Sequence, residues 1–208
     1  MAKKSVAQIG TVLVLLLVAS CSSIEREQYK NLKSTELLMM EIIPKLQDNS
    51  AMINDANGQR TAILIPGGLL LTASLEGDLN SQLLPVDFSH SPQLQGGIVG
   101  HNESMSVIRL LSNMTYTNAK GLSFSGTNEL SGTGLFISFS DPNAPRPAIR
   151  LVRDLSNPLD AFQFDDLDNG GAFVNMKGEL CGLYSHQTKK FIGPKDFRRM
   201  WLNVLKSN

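Results

Sequence analysis

Side chains able to do covalent or proton-transfer chemistry are sparse in this sequence of 208 residues. It has 3 histidines, His90, His101 and His186, and 2 cysteines, Cys21 and Cys181. No histidine pairs with another or with a cysteine at metal-ligand spacing, so each reads as a surface side chain and no metal is expected. A phosphate-cradling glycine loop is also missing, and no cofactor is expected. Cys181, within the apolar run GELCGL, reads as a small buried strand residue rather than a nucleophile. Serines are better placed for nucleophilic chemistry. Ser74 follows an apolar run, and Ser104 and Ser106 flank Met105 shortly after His101. A hydroxyl beside an imidazole is the minimum for acyl transfer, so Ser74 or Ser104 with His101 is one candidate pair. The other distinctive constellation is Asp168-Asn169-Gly170-Gly171, which carries no serine.

The elements that must position these residues are mostly strands. From residue 51 onward short apolar runs alternate with Gly, Asn, Ser and Pro clusters: TAILI (61–65), LLLTA (69–73), GGIVG (96–100) and SVIRLL (106–111). GLFISF (134–139), AIRLV (148–152), GAFVN (171–175) and ELCGLY (179–184) continue the pattern. Strand-length runs at this spacing argue for an all-β sandwich or barrel. Met176-Lys177-Gly178 reads as a hairpin connection, and PNAPRP (142–147) as a stiff extended loop. Two helices frame the strands. Met39, Ile42, Ile43 and Leu46 form a helical stripe, which Pro44 is expected to end or kink near Ile43. Pro194 suits a first helical turn, and Phe197, Met200, Trp201, Val204 and Leu205 fall on one face. Lys195, Arg198, Arg199 and Lys206 cover the opposite face, expected to be solvated.

The first twenty residues read as an address. Lys3 and Lys4 precede the unbroken apolar run Val12–Val18, too short to span a bilayer, and small residues follow. The sequence Val18-Ala19-Ser20-Cys21 resembles a bacterial lipobox, which implies cleavage before Cys21 and diacylglycerol on its thiol. Acyl chains contribute about 0.8 kcal/mol per buried methylene, so release would be negligible. Ser22 rather than Asp after the cysteine implies sorting to the outer membrane, facing the periplasm, in a Gram-negative cell. The expected organisation is a signal peptide over 1–20, an anchor, polar tether and helix over 21–46, and one domain over 47–208. Losing Lys3 and Lys4 from 19 basic residues, against 19 acidic, leaves a net charge of −2. That balance excludes a basic nucleic-acid binder. One unmodified cysteine, Cys181, excludes an intrachain disulfide.

Five segments, in order over roughly residues 46–205, resemble the trypsin-like serine proteases. TAILIPGGLLLTASL (61–75) is similar to the hairpin in which L-T-A-x-H delivers the general base. VGHNESMSVIRL (99–110) is similar to the strand whose D-x-A-V-L supplies the orienting aspartate. LSFSGTNELSGTGLFISFSDP (122–142) resembles the crossing into the second barrel. FDDLDNGGAFVNMKGELCGLYS (164–185) resembles the nucleophile loop and its following hairpin. FIGPKDFRRMWLNVL (191–205) resembles the closing strand and helix of high-temperature-requirement-type bacterial proteases. The resemblance implies a trypsin-like double β-barrel with an N-terminal helix and a C-terminal amphipathic helix.

The resemblance also places the catalytic positions, and each carries the wrong chemistry. The base falls on Leu75, which accepts no proton. The orienting carboxylate falls on Ser104, which cannot stabilise an imidazolium. The nucleophile falls on Asn169, whose amide nitrogen is delocalised into its carbonyl. The oxyanion-hole glycine falls on Leu167, where a side chain is expected to misaim the donor N–H. Loss of one triad member alone costs orders of magnitude. The sequence is thus expected to encode a pseudoprotease lipoprotein that binds a protein or peptide by strand addition in the cleft between barrels. Two other readings stand beside it: a hydrolase with relocated residues, and a structural or assembly lipoprotein of the envelope.

Overall fold

The computed structural model describes residues 36–206 apart from 38, 56–57, 76–82, 90, 112–119, 127–131, 142–143, 145, 155 and 157–162. The expected signal segment, Cys21, the tether and His90 lie outside the described residues, as does part of the 142–147 loop. The chain divides into two compact units, Met1–Glu41 and Ile42–Asn208. In the first unit the described residues, 36–37 and 39–41, are helical.

The second unit opens with helix α1 over 42–48, where Ile42 and Leu46 are buried as the stripe requires. Pro44 does not end it. Within 42–48 Pro44 lies in the first turn, where a helix N–H has no partner inside the stretch to lose, and it is exposed. The helix stops at Asn49, whose amide side chain donates to Lys45 O at 2.7 Å while the Ser50 hydroxyl donates to Leu46 O at 2.7 Å.

Six antiparallel strands then close into a barrel in the order β1-β2-β3-β6-β5-β4. They are β1 (Ser50–Asp55), β2 (Gly58–Ile65), β3 (Leu69–Ala73), β4 (Leu83–Phe88), β5 (Leu94–His101) and β6 (Met105–Leu110). Closure comes from β1 on β4, with Ala51 opposite Phe88 and Ile53 opposite Val86. Alternate residues such as Ala51 and Ile53, Ala62 and Leu64, and Ile108 and Leu110 fill the interior, the period of two that a pleated strand imposes.

The second half is a sheet in the order β11-β10-β9-β7-β8, built from β7 (Gly134–Ser138), β8 (Ala148–Val152), β9 (Ala172–Asn175), β10 (Leu180–Ser185) and β11 (Lys190–Ile192). The resemblance leads one to expect a second closed barrel; among the described residues the five strands form an open order that ends at β8 and β11. Closure needs a further pairing, and Phe124 supplies only an isolated bridge to Leu180. Phe136, Phe173 and Tyr184 form an aromatic core with Phe164 and Phe191 against it.

Helix α2 (Pro194–Lys206) follows β11. Phe197 and Val204 are buried, and the Trp201 indole donates to Pro66 O at 2.9 Å. Leu205, assigned to the apolar face, is 43% exposed. The basic face is not wholly solvated either, because Arg198 donates to the carbonyl of Ser125. Among the described residues no helix is long and apolar enough to cross a membrane.

Candidate functional site

The segments that carry Leu75, Ser104 and Asn169 meet the rest of the molecule in two places. At the end of β3, Ser74 N–H donates to Ser104 O at 3.0 Å, so positions 74–75 abut the turn before β6. Asn169 lies instead against β2: its carbonyl accepts from Thr61 N–H at 3.0 Å. Thr61 is tied across to β3, since the Thr72 hydroxyl donates to Thr61 O at 2.7 Å. The D-N-G-G loop therefore sits on the β2–β3 hairpin that ends in Leu75.

None of the side chains at these positions is arranged for proton transfer. Leu75 is 2% exposed and packs in the barrel core. The hydroxyl that reaches its backbone belongs to Ser106 rather than Ser104: Leu75 N–H donates to Ser106 Oγ at 3.1 Å. Ser106 Oγ also lies 3.1 Å from His101 Nδ1. The imidazole expected beside Ser74 or Ser104 is thus on Ser106, and the Ser74 hydroxyl donates to Asn102 O at 3.1 Å. The strand explains this shift: Ser106 is opposite both Thr72 and His101 in the sheet. Ser106 is fully buried, whereas His101 is exposed.

The loop expected at the nucleophile position folds on itself. Residues Asp166–Asp168 form one 3₁₀ turn, and Asp165 caps it. The Asp165 carboxylate accepts from Leu167 N–H at 3.0 Å and Asp168 N–H at 3.1 Å. Asn169 N–H donates to Asp166 O at 3.2 Å. The two backbone donors that an oxyanion hole would aim outward, at 167 and 169, are thereby both used inside the loop. Sequence reading missed the cap, although Asp165 three residues before Asp168 carries the spacing of a capping box.

Four further contacts pin the loop. Asp168, 1% exposed, is paired with Arg150 from β8 and accepts from the Ser138 hydroxyl of β7 at 2.7 Å. Asn169 Oδ1 accepts from His186 N–H at 3.0 Å, so the amide braces the turn after β10. His186 Nε2 stands 2.6 Å from Asp166 Oδ1, and its Nδ1 faces the Tyr184 hydroxyl at 3.3 Å. Burial, then the charges of Asp168, Asp166 and Asp165, push the Tyr184 phenol above its ordinary pKa. Gly170 has φ +79, and a Cβ there would strike the Thr61 carbonyl.

Cys181 is a free, buried thiol whose pKa burial raises, consistent with a strand residue. Among the described residues no group of three or more His, Cys, Asp or Glu could hold a metal. A groove of about 680 Å³ lies beside the site, between the turn at 101–105, β11 and α2. Ser104 lines it, but Leu75, Leu167 and Asn169 do not.

A six-stranded closed barrel, an antiparallel second sheet bearing a glycine-rich loop that rests on the first, and a closing helix define a trypsin-like serine protease fold. The crystal structure of the serine endoprotease from Yersinia pestis is similar, with a TM-score of 0.60 at 14% identity. The match covers 79% of this chain and 65% of that one, so the present chain spans slightly under two thirds of its length. No family model matches the sequence. No curated protein matches it either. At this identity the likeness is one of fold, and fold alone assigns no activity.

Proposed function

We propose that this chain is a non-catalytic member of the trypsin-like fold, a pseudoprotease that binds a protein or peptide while lipid-anchored through Cys21 at the bacterial cell envelope. The reading takes the five-stranded sheet as the counterpart of the second barrel. The observation that carries it is the closed oxyanion loop, with Leu167 N–H on the Asp165 carboxylate at 3.0 Å and Asn169 N–H on Asp166 O at 3.2 Å. Leu75, Ser104 and Asn169 offer no base, no orienting charge and no nucleophile, so positioning is the only catalytic contribution left. The test is labelling by a fluorophosphonate together with turnover of a broad peptide library, with an active trypsin-like protease alongside. No labelling and no turnover is expected; stoichiometric labelling would overturn the reading.

One observation favours a second reading, a hydrolase with relocated residues: Ser106 Oγ and His101 Nδ1 are 3.1 Å apart. Against it, Ser106 has no exposed surface from which to attack a substrate. The same labelling experiment separates the two, because labelling that disappears in Ser106→Ala would establish the relocated pair.

A further inference from the structure

The groove beside the degenerate site has a construction that points to its occupant. Lys190, Phe191 and Ile192 all line it. Successive side chains of a strand point to opposite faces, so three consecutive lining residues mean that the groove runs along the edge of β11, not over one face. β11 ends the sheet order and, among the described residues, pairs with β10 alone. Opposite that edge, Asp196, Arg199, Met200 and Asn203 line the groove at i, i+3, i+4 and i+7, one stripe of α2. The remaining wall is the turn at 101–105, with Glu103 exposed on it.

Charge decides what can lie there. Lys190 and Arg199 bring two cations, Glu103 and Asp196 two anions, and no ion pair among the described residues uses any of the four. All four are exposed, so each is hydrated while the groove is open. An apolar occupant would strip that water without replacing it, a costly exchange. An occupant with side chains of both signs replaces it with ion pairs, while its backbone supplies partners for a strand edge that no described strand pairs.

We propose that this groove binds an extended peptide segment of mixed charge, which adds to β11 as a further strand and sets acidic side chains against Lys190 and Arg199 and basic ones against Glu103 and Asp196. The inference rests on the binding reading above and moves the contact from the degenerate catalytic loop to the β11 edge. It also gives occupancy a route to the old site. The 101–105 turn holds the end of β3 through Ser74 N–H to Ser104 O at 3.0 Å and the Ser74 hydroxyl to Asn102 O at 3.1 Å.

The test uses the full-length protein in detergent and a capped nine-residue peptide in which threonines alternate with glutamate and lysine in turn. Comparison peptides replace the glutamates, the lysines or both with serine. The mixed peptide is expected to bind most tightly. Lys190→Gln with Arg199→Gln should weaken it about tenfold, as expected for two partly exposed ion pairs, and change binding of the glutamate-free peptide less than about twofold. Glu103→Gln should show the mirror preference, weakening the lysine-bearing peptides only. All three substituted side chains are exposed, and near-ultraviolet dichroism checks that the variants keep the native packing. Equal binding by wild type and charge variants would overturn the groove assignment while leaving a binding protein in place. Equal binding of all four peptides would overturn the charge requirement, and failure of every peptide to bind would overturn the proposal outright. Fluorophosphonate labelling of the wild type would instead bring down the pseudoprotease reading on which the inference stands.

Discussion

At the scale of single residues, the loop from 165 to 171 is held by its own cap and by contacts to β2, β7, β8 and the turn after β10. Asn169 accepts from Thr61 N–H with its backbone carbonyl, which any residue would keep, and from His186 N–H with its side-chain oxygen, which a shorter serine hydroxyl would not reach. Asn169→Ser alone is therefore expected to give no fluorophosphonate labelling. It should also cost about 1–2 kcal/mol in urea denaturation, the price of leaving the His186 amide without its acceptor. Restoring the triad by Leu75→His, Ser104→Asp and Asn169→Ser should still leave labelling weak, because Asp165 holds the N–H of residue 167. Adding Asp165→Ala and Leu167→Gly should then raise the labelling rate by about 100-fold, the lower end of what one oxyanion donor contributes. No rise would show that the cap is not what closes the loop. Gly170 sets a different limit. Its φ of +79 costs an L residue about 1–2 kcal/mol, and a new Cβ would also strike the Thr61 carbonyl. Gly170→Ala should destabilise the fold by more than ~3 kcal/mol; a loss below 1 kcal/mol would mean that the loop does not rest on β2 as described.

At the scale of elements, what sequence could and could not reveal divides along physical lines. The strands were legible because burial on alternate residues is local, as at Ala62 and Leu64 or Leu84 and Val86. Barrel closure was not, because Ala51 meets Phe88 across two intervening strands, β2 and β3, and nothing local encodes that register. Helix α1 runs past Pro44 to residue 48, because a proline in the first turn of 42–48 removes no bond within that stretch. At the site, residue type alone says that Leu75, Ser104 and Asn169 carry neither imidazole, carboxylate nor a nucleophilic hydroxyl paired with a base, and their assignment to triad positions stays part of the proposal. The partner of His101 was not legible, since it depends on which of Ser74, Ser104 and Ser106 the β5–β6 register turns toward the imidazole. Helix α2 is placed by long-range contacts of the same kind. Trp201 donates to Pro66 O, 135 residues earlier, and its ring meets Phe124 edge-on at 5.7 Å. Trp201→Phe keeps an aromatic ring and removes the donor, so it should cost about 1 kcal/mol and lower Tm by a few degrees. An unchanged Tm would mean that the indole bond is not made in solution.

At the scale of the whole molecule, the proposed anchoring at a membrane can be tested on its own. Among the described residues no helix can span a bilayer, and the chain's 19 basic residues are matched by 19 acidic ones, so charge gives no general attraction to anionic lipid. The proposed attachment is covalent. Lys3 and Lys4, the apolar run to Val18 and the sequence ending at Cys21 together have the layout of a lipoprotein leader, and two or more acyl chains hold a protein far more firmly than one. Cys21→Ala removes the thiol that would carry them and leaves Cys181, which is buried and whose pKa is raised, unable to substitute. Wild-type protein should incorporate a palmitate analogue and fractionate with membranes after high-salt and alkaline washes. The Cys21→Ala protein should incorporate none, and it should either keep its leader or appear in the soluble fraction. Each outcome is read by gel mobility and fractionation, independent of any enzymatic activity. If wild-type protein takes up no analogue and is already soluble, the anchor does not exist, and the groove and the closed loop would then act on partners free in solution.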